Sequence, residues 1–362
     1  MSTEIYNLKY RKAIIIWLLT GCLLIAAMVV IGGITRLTGS GLSITEWKLI
    51  HGTIPPLNEK EWMKEFDSYK AIPQYQLLNY NFSLEDFKQI YFWEYFHRLL
   101  GRVIGMVFFF PFLFFWIKKQ FNNERLRKML LLFFLGGLQG FLGWFMVKSG
   151  LTERTSVSHY RLAIHLISAF ITFGATFYVA LDYIFPQRRE YDLHLKKLYK
   201  LSWITMIVLC VQIIYGAFVA GLKAGRIFNS FPKMDDHWIS DAVGMSLQKL
   251  GAAALFDAMP VVQFIHRYVA YAVVILFLVL YFTAKNLNTA RLNKLLYPEV
   301  LSTLWLLPAL VVLQFILGVF TLLYGVPVWL GVVHQATAFL LFGMMVLLLH
   351  RFKTTCKPEI TT

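Results

Sequence analysis

Cysteine is scarce and badly placed for cross-linking: among 362 residues only Cys22, Cys210 and Cys356 carry a thiol, two in apolar runs and one in the C-terminal tail. With no CxxC spacing and no cysteine in the loops assigned below to the outer side, neither a disulfide framework nor a thiolate metal site is available. Charge is scarce as well, at 15% of residues, and acid is the scarcer sign, with 20 Asp and Glu against 35 Lys and Arg. A transit segment rich in Arg and poor in acid is also missing. The first apolar run, behind Lys9, Arg11 and Lys12, is too long for a cleaved signal segment and has no small-residue cleavage site, so it reads as a retained helix.

Apolar length is what the chain has in excess. At 58% hydrophobic and 17% aromatic it lies outside the range of soluble domains. A helix needs about 20 mostly apolar residues to cross a bilayer, and eight stretches qualify: 13–34, 93–117, 129–147, 161–182, 201–222, 261–284, 303–325 and 328–350. Lipid offers no partner to unpaired backbone groups, and runs this long do not suit barrel strands. The expected class is therefore an all-α polytopic membrane protein with eight transmembrane helices. Basic residues crowd alternate, short connections and the tails (Lys9 to Lys12, Lys118 to Lys128, Arg188 to Lys200, Lys285 to Lys294, Arg351 to Lys357), while the longer loops mix both signs. That pattern predicts both termini to be cytoplasmic. The net charge of +15 is then a topology signal, and no nucleic-acid partner is expected. A bacterial cytoplasmic (inner) membrane is preferred to the mitochondrial inner membrane.

The chain repeats itself. HLISAFITFG at 165–174 returns as HQATAFLLFG at 334–343, and EYFHR at 94–98 as QFIHR at 263–267, both at an offset of 169; LQGFLG at 138–143 resembles LQFILG at 313–318, at 175. Four spans per half give the halves the same orientation, so we expect two parallel-repeat four-helix bundles, 1–200 and 201–362, related by an axis along the membrane normal. In the first long loop, 35–92, Asn58 with Glu61 makes a helix cap ahead of Trp62, Phe66 and Tyr69. This predicts a short helix on the outer leaflet, or else a loop with aromatic anchors.

His97, His165, His266 and His334 fall near the same end of the second, fourth, sixth and eighth spans. Each half thus offers two imidazoles at similar depth, the arrangement that clamps a planar iron cofactor between helices. A lone intramembrane histidine often just bonds a neighbouring helix, but two pairs with the same separation argue for function. With no carboxylate cluster beside them, two haems suit the pattern better than a binuclear metal site. His51, His159 and His237 in outer loops, and His194 and His350 at the inner face, need only a solvated role. Arg98 and Arg267, next to their histidines, serve either as interfacial anchors or as bidentate partners of haem carboxylates; Arg36, Arg102 and Arg161 are weaker candidates of the same kind. The halves differ at one position: Glu94 precedes His97 by three residues, where Gln263 precedes His266. A carboxylate could move protons or stabilise positive charge, and an amide could do neither. The N-terminal half is thus read as reactive and the C-terminal half as a fixed electron-transfer site, against the plainer alternative of a Glu94–Arg98 surface pair.

Taken together, GGITRLTGSGLSITEWKLIHGTIPP (32–56), EYFHRLLGR (94–102), HYRLAIHL (159–166), GLKAGRIFNSFPKM (221–234) and the histidines of the sixth and eighth spans resemble the haem A synthase family over essentially the whole chain. The resemblance implies oxidation of one ring methyl of haem O to a formyl group, by two successive hydroxylations and loss of water, for cytochrome oxidase assembly. It implies haem b held by His266 and His334, a haem O iron flanked by His97 and His165, and Glu94 as the essential acid. Haem O would come from a haem O synthase, and an electron acceptor or donor is required but unidentified. One branch of the family has cysteine pairs in its outer loops. Their absence here puts any mechanism needing loop thiols in doubt. Oxygen activation at the substrate iron and stepwise oxidation with water both stay open. Two other readings compete: a b-type two-haem electron carrier without substrate chemistry, and a parallel-repeat transporter, for which Pro111 and Pro308 are the candidate helix breaks. Gly136, Gly137 and Gly140 could pack helices within one chain or in a homo-oligomer.

Overall fold

The computed structural model describes residues 9–46, 53–151, 155–186, 192–286 and 298–353. His51 and Cys356 lie outside them. Eight helices among the described residues are long and apolar enough to cross a membrane. Among the described residues the α-helices of five or more residues are, in chain order, α1 (Arg11–Leu37), α2 (Glu59–Lys70), α3 (Pro73–Leu77), α4 (Leu84–Ile117), α5 (Asn123–Gly150), α6 (His159–Ile184), α7 (Leu193–Leu222), α8 (Asp241–Leu250), α9 (Met259–Lys285), α10 (Pro298–Leu323) and α11 (Val328–Phe352). The chain is a multi-pass membrane protein. Its spans outrun the apolar stretches because polar turns extend them: α4 starts in a capping box, with the Ser83 hydroxyl on the Asp86 amide and the Asp86 carboxylate on the Ser83 amide. Pro111 and Pro308 sit inside continuous helices, so neither marks the broken span a transporter would use.

Four spans make the middle of the molecule. Helix α1 packs on α4, α6 and α11, α7 packs on α6 and α11, and α6 packs on α11; α5 and α10 lie outside against α4 and α6, and against α9 and α11. Burial agrees, at 33–50% of the apolar window in α1, α6, α7 and α11 against 6–22% in the other four. The outer spans present large apolar side chains such as Phe110, Phe134, Ile275 and Leu306 to lipid. Among the described residues a Cβ at Gly136, Gly137 or Gly140 would meet nothing within 4 Å, so these glycines do not serve packing between the described spans.

The duplicated frame builds the centre. Phe170 and Phe173 of α6 meet Phe339 and Phe342 of α11, with ring centroids 5.1 Å apart for Phe170–Phe339 and 4.2 Å for Phe173–Phe339. Gly174 abuts Phe342, and Gly343 abuts Phe173. Each residue of this contact has its counterpart at the 169-residue offset, so one sequence motif packs against its own copy. At the basic end, Asp182 of α6 joins the halves by accepting from Lys128 of α5 at 2.9 Å and facing His350 of α11 at 3.1 Å. At the histidine end, Arg36 of α1 donates to the carbonyls of Ala220 and Gly221 in α7, at 2.9 and 2.8 Å.

Two solvated assignments fail. His350 is buried beside Asp182 and Tyr178. His159 is buried at the start of α6, 3.2 Å from Asp257, because Gly221 lets α7 come so close that a Cβ there would lie 2.4 Å from His159 Cβ. The helix foreseen after Asn58 forms, with the Asn58 side-chain Oδ1 accepting from the Glu61 amide. Its aromatic face, however, turns into protein: Trp62, Phe66 and Tyr69 pack on Phe87 and Tyr91 of α4 rather than on the leaflet. The Tyr69 hydroxyl donates to Gln74 and accepts from Asn79, Gln74 in turn donates to the Gly39 carbonyl, and burial pushes the phenol up to about 12. The loop helices thereby hold the segment that follows α1 against the mouth of the bundle.

Candidate haem sites

Each of the four histidines lies against a glycine of another span. A Cβ at Gly32 of α1 would lie 3.2 Å from His97 Nε2; at Gly143 of α5, 3.4 Å from His165 Cε1; at Gly216 of α7, 3.2 Å from His266 Cε1; and at Gly318 of α10, 2.8 Å from His334 Cε1. At Gly32, Gly216 and Gly318 the missing methyl is what leaves room for the imidazole, whereas at Gly143 a methyl would make an ordinary contact. His97 and His165 are within electrostatic reach of one another, as are His266 and His334. Among the described residues, Nδ1 of His165 and Nδ1 of His266 are buried with no hydrogen-bond partner.

The arginines after His97 and His266 do the same work in both halves. Arg98 donates to the carbonyls of Ile44 and Glu46, at 2.9 and 3.0 Å. Arg267 donates to those of Phe228 and Ser230, at 2.7 and 2.9 Å. Phe228 and Ser230 stand 184 residues after Ile44 and Glu46, the offset that also relates Gly216 to Gly32. Each arginine therefore straps the loop leaving an odd-numbered span across the mouth of its own site.

Glu94 and Gln263 break the likeness. Glu94, 3% exposed, takes Arg98 at 2.6 Å on one oxygen and the Ser43 hydroxyl and Ile44 amide at 2.8 and 2.9 Å on the other. Gln263, 2% exposed, donates its amide to the Phe228 carbonyl at 3.2 Å. The counterpart of Ser43 is Ile227, so the hydroxyl and the carboxylate disappear together. The pairing of Glu94 with Arg98 is real, but it is buried rather than a solvated surface pair.

Glutamines not singled out from sequence crowd the second pair. Gln212 Nε2 donates to the His266 carbonyl at 3.1 Å and lies 3.5 Å from its Nε2; Gln314 Nε2 lies 3.2 Å from His334 Nδ1. Gln314 has a twin in Gln139, which the LQGFLG and LQFILG frames carry together with the glycines at 143 and 318, so that signal was visible. Gln212 falls opposite Met28 and left no such trace. Among the described residues no three His, Cys, Asp or Glu gather to hold an ion. Two imidazoles per half, each against a glycine of another span, are the donor set that would hold an iron macrocycle, and they are too few for a tetrahedral metal centre.

The sequence pattern of the cytochrome oxidase assembly protein family matches residues 15–346. The chain belongs to that family. Among its relatives is a haem A synthase of Flavobacterium psychrophilum, 48% identical over 95% of this chain and 99% of that protein. Haem A synthases of Rhodospirillum centenum, 42% identical over 97% of this chain and 91% of that protein, and of Nitrosospira multiformis, 43% identical over 92% and 91%, are similar over most of their lengths. The family therefore spans both histidine pairs of this chain.

Proposed function

We infer that this chain is a haem A synthase, a membrane enzyme that oxidises haem O to haem A for cytochrome oxidase. The observation that carries the assignment of roles is the duplicated histidine frame with a carboxylate in one copy only. In this reading residues 1–200 form the substrate half, with His97 and His165 flanking the iron of haem O and Glu94 as the acid–base group one helical turn away. Ser43, Arg98 and the Ile44 amide hold that carboxylate at the mouth. Residues 201–362 form the fixed half, with His266 and His334 as ligands of haem b. A bound haem b supplies a one-electron carrier. Arg98 and Arg267 fix the rims of the two sites, where haem carboxylates would lie.

The enzyme sits in a bacterial inner membrane with both termini cytoplasmic. Haem O reaches it from a haem O synthase, an acceptor or donor outside the chain exchanges electrons with it, and the unpartnered glycine face of α5 is open to a second copy. The two-haem carrier reading uses the same four histidines but leaves Glu94 and its three donors without a purpose. Extraction and chromatography of the haems that copurify decides the matter. Haem b with haem O, a hydroxylated intermediate or haem A is expected; haem b alone would favour the carrier, and a protein without a Soret band would sink both.

A further inference from the structure

Gly136, Gln139, Gly140 and Gly143 of α5 follow one another at i, i+3, i+4 and i+7, so they share one face of the helix. Gly143 lies against His165, which turns that face towards the N-terminal site. At a rise of about 1.5 Å per residue, Gly140 and Gly136 stand about 4.5 and 10.5 Å deeper in the membrane than Gly143. A Cβ at either of them, or at Gly105 of α4, would meet nothing within 4 Å among the described residues. Below this open stretch α4 and α5 close on one another through Phe133, whose ring centroid is 6.1 Å from that of Phe108 and 5.8 Å from that of Phe112. The N-terminal half therefore holds a slot that runs inward from the histidines to a phenylalanine floor.

The second half fills the same place. At the register that pairs Gly143 with Gly318, Gly136 and Gly140 become Val311 and Phe315; at that of the histidines, Arg102 and Gly105 become Tyr271 and Val274. Val311 is 1% exposed, and Phe315 of α10 meets Tyr271 of α9 with ring centroids 5.2 Å apart. The loop above is stitched to α10 as well: Asn229, where the first half has Thr45, donates from Nδ2 to the Leu322 carbonyl at 2.7 Å and to the Gly225 carbonyl at 2.9 Å. Gln139 adds a polar difference. Its twin Gln314 brings Nε2 to 3.2 Å from His334 Nδ1, whereas Gln139 Nε2 is buried with no hydrogen-bond partner among the described residues. A buried amide donor left unpaired costs stability unless a ligand accepts from it.

We propose that this slot is a subsite for the side chain that sets haem O apart, a hydroxyl-bearing carbon on the ring followed by a long isoprenoid chain. The chain lies along Gly140 and Gly136 towards the phenylalanine floor, and Gln139 donates to the hydroxyl. The subsite rests on the reading of the N-terminal pair as the substrate site. A haem b in the other half carries only a short vinyl group at that ring position, and there Val311 and Phe315 occupy the space.

The experiment uses the full-length protein in detergent, with the haem it retains on purification, titrated with haem O and with iron protoporphyrin IX, which lacks the chain, and followed by the Soret difference spectrum. Gly140→Phe, which copies the second half, should weaken haem O binding by about tenfold or more and leave iron protoporphyrin IX within about twofold. Gly140→Ala should bind both as wild type does, since its methyl enters open space. Gln139→Leu should weaken haem O alone, by about fivefold, the size of one hydrogen bond. An unchanged retained Soret band reports that each variant is folded. A Gly140→Phe or Gln139→Leu protein that spares haem O, or weakens both probes alike, overturns the subsite and leaves the substrate-site reading standing. So does a Gly140→Phe protein whose oligomer dissociates in light scattering, because a second copy would then cover this face. No spectral change with either probe overturns the substrate-site reading, and the subsite with it.

Discussion

The two halves use one plan to hold an imidazole and different plans to close the site. In both, each histidine ring lies against a glycine on an odd-numbered span, and an arginine after the first histidine straps the carbonyls of a loop. Where they diverge, they do so in groups: Glu94 with Ser43 against Gln263 with Ile227, and Thr45 with Lys148 against Asn229 with Leu323. The histidine-bearing frame is duplicated with little change, and the differences gather in the polar residues around it.

The largest break comes from the ligands themselves. His266→Ala or His334→Ala should abolish the retained haem, read as haem per protein by the pyridine haemochrome assay. His97→Ala or His165→Ala should keep that haem and lose haem A formation. If all four lose the same haem, the division of roles between halves is wrong.

Next in size is Glu94→Gln. Loss of the acid–base group should lower haem A formation about a hundredfold or more, measured as haem A extracted from cells that supply haem O, with the retained haem unchanged. The second half is its own precedent that the frame stands with glutamine here, since Arg267 keeps its loop carbonyls beside Gln263. Gln263→Glu added to Glu94→Gln should not restore the product, because Ile227 offers no hydroxyl. Product at the normal rate from Glu94→Gln would return the chain to the electron-carrier reading.

Much of this arrangement is legible in the sequence, and the illegible part has a physical reason. Hydropathy marks the lipid-crossing part of each span, so eight helices are visible, but the first turns of α4 are polar and show only as the Ser83–Asp86 capping box. The histidine pairs are legible because the repeat preserves them. The destinations of Arg98 and Arg267 are not, because a side chain that bonds carbonyls more than 30 residues away leaves no residue type behind to read. His159 and His350 mislead for a related cause. Their sequence neighbourhoods are polar ends of helices, while their burial is imposed by the other half through Asp257, Gly221 and Asp182. The α2 aromatics are on the expected face, yet that face meets α4, a partner the local pattern cannot name.

A finer comparison sets glycine against glycine. In Gly318→Ala the new methyl would sit 2.8 Å from His334 Cε1, closer than a carbon can stay, so the ring must move; in Gly143→Ala the distance to His165 is 3.4 Å, an ordinary contact. Gly318→Ala should therefore lower the retained haem several-fold, whereas Gly143→Ala should leave substrate-haem binding within about twofold, both by Soret titration. Asn229→Thr, which copies the first half, should leave the spectrum alone and speed transfer of the retained haem to apomyoglobin by a few-fold, roughly the worth of one hydrogen bond. An unchanged rate would mean that the Asn229 stitch does not hold the site closed.

The smallest difference is expected where the halves are most alike. Phe170 and Phe339 are the same residue of the repeated frame, 1% and 5% exposed, and they face each other across the centre. Truncating either to alanine removes a buried ring from the same four-ring cluster, a loss of about 3 kcal/mol of packing with no compensation from lipid, whose tails are as apolar as the ring. Phe170→Ala and Phe339→Ala should then lower the melting temperature equally in a tryptophan-fluorescence scan, with neither altering the Soret band. The double variant should cost less than the two single losses together, because the rings are in contact and share one cavity. A large inequality between the single variants would show that the centre is held mainly by one half, and that the likeness of HLISAFITFG and HQATAFLLFG extends to their histidines but not to their packing.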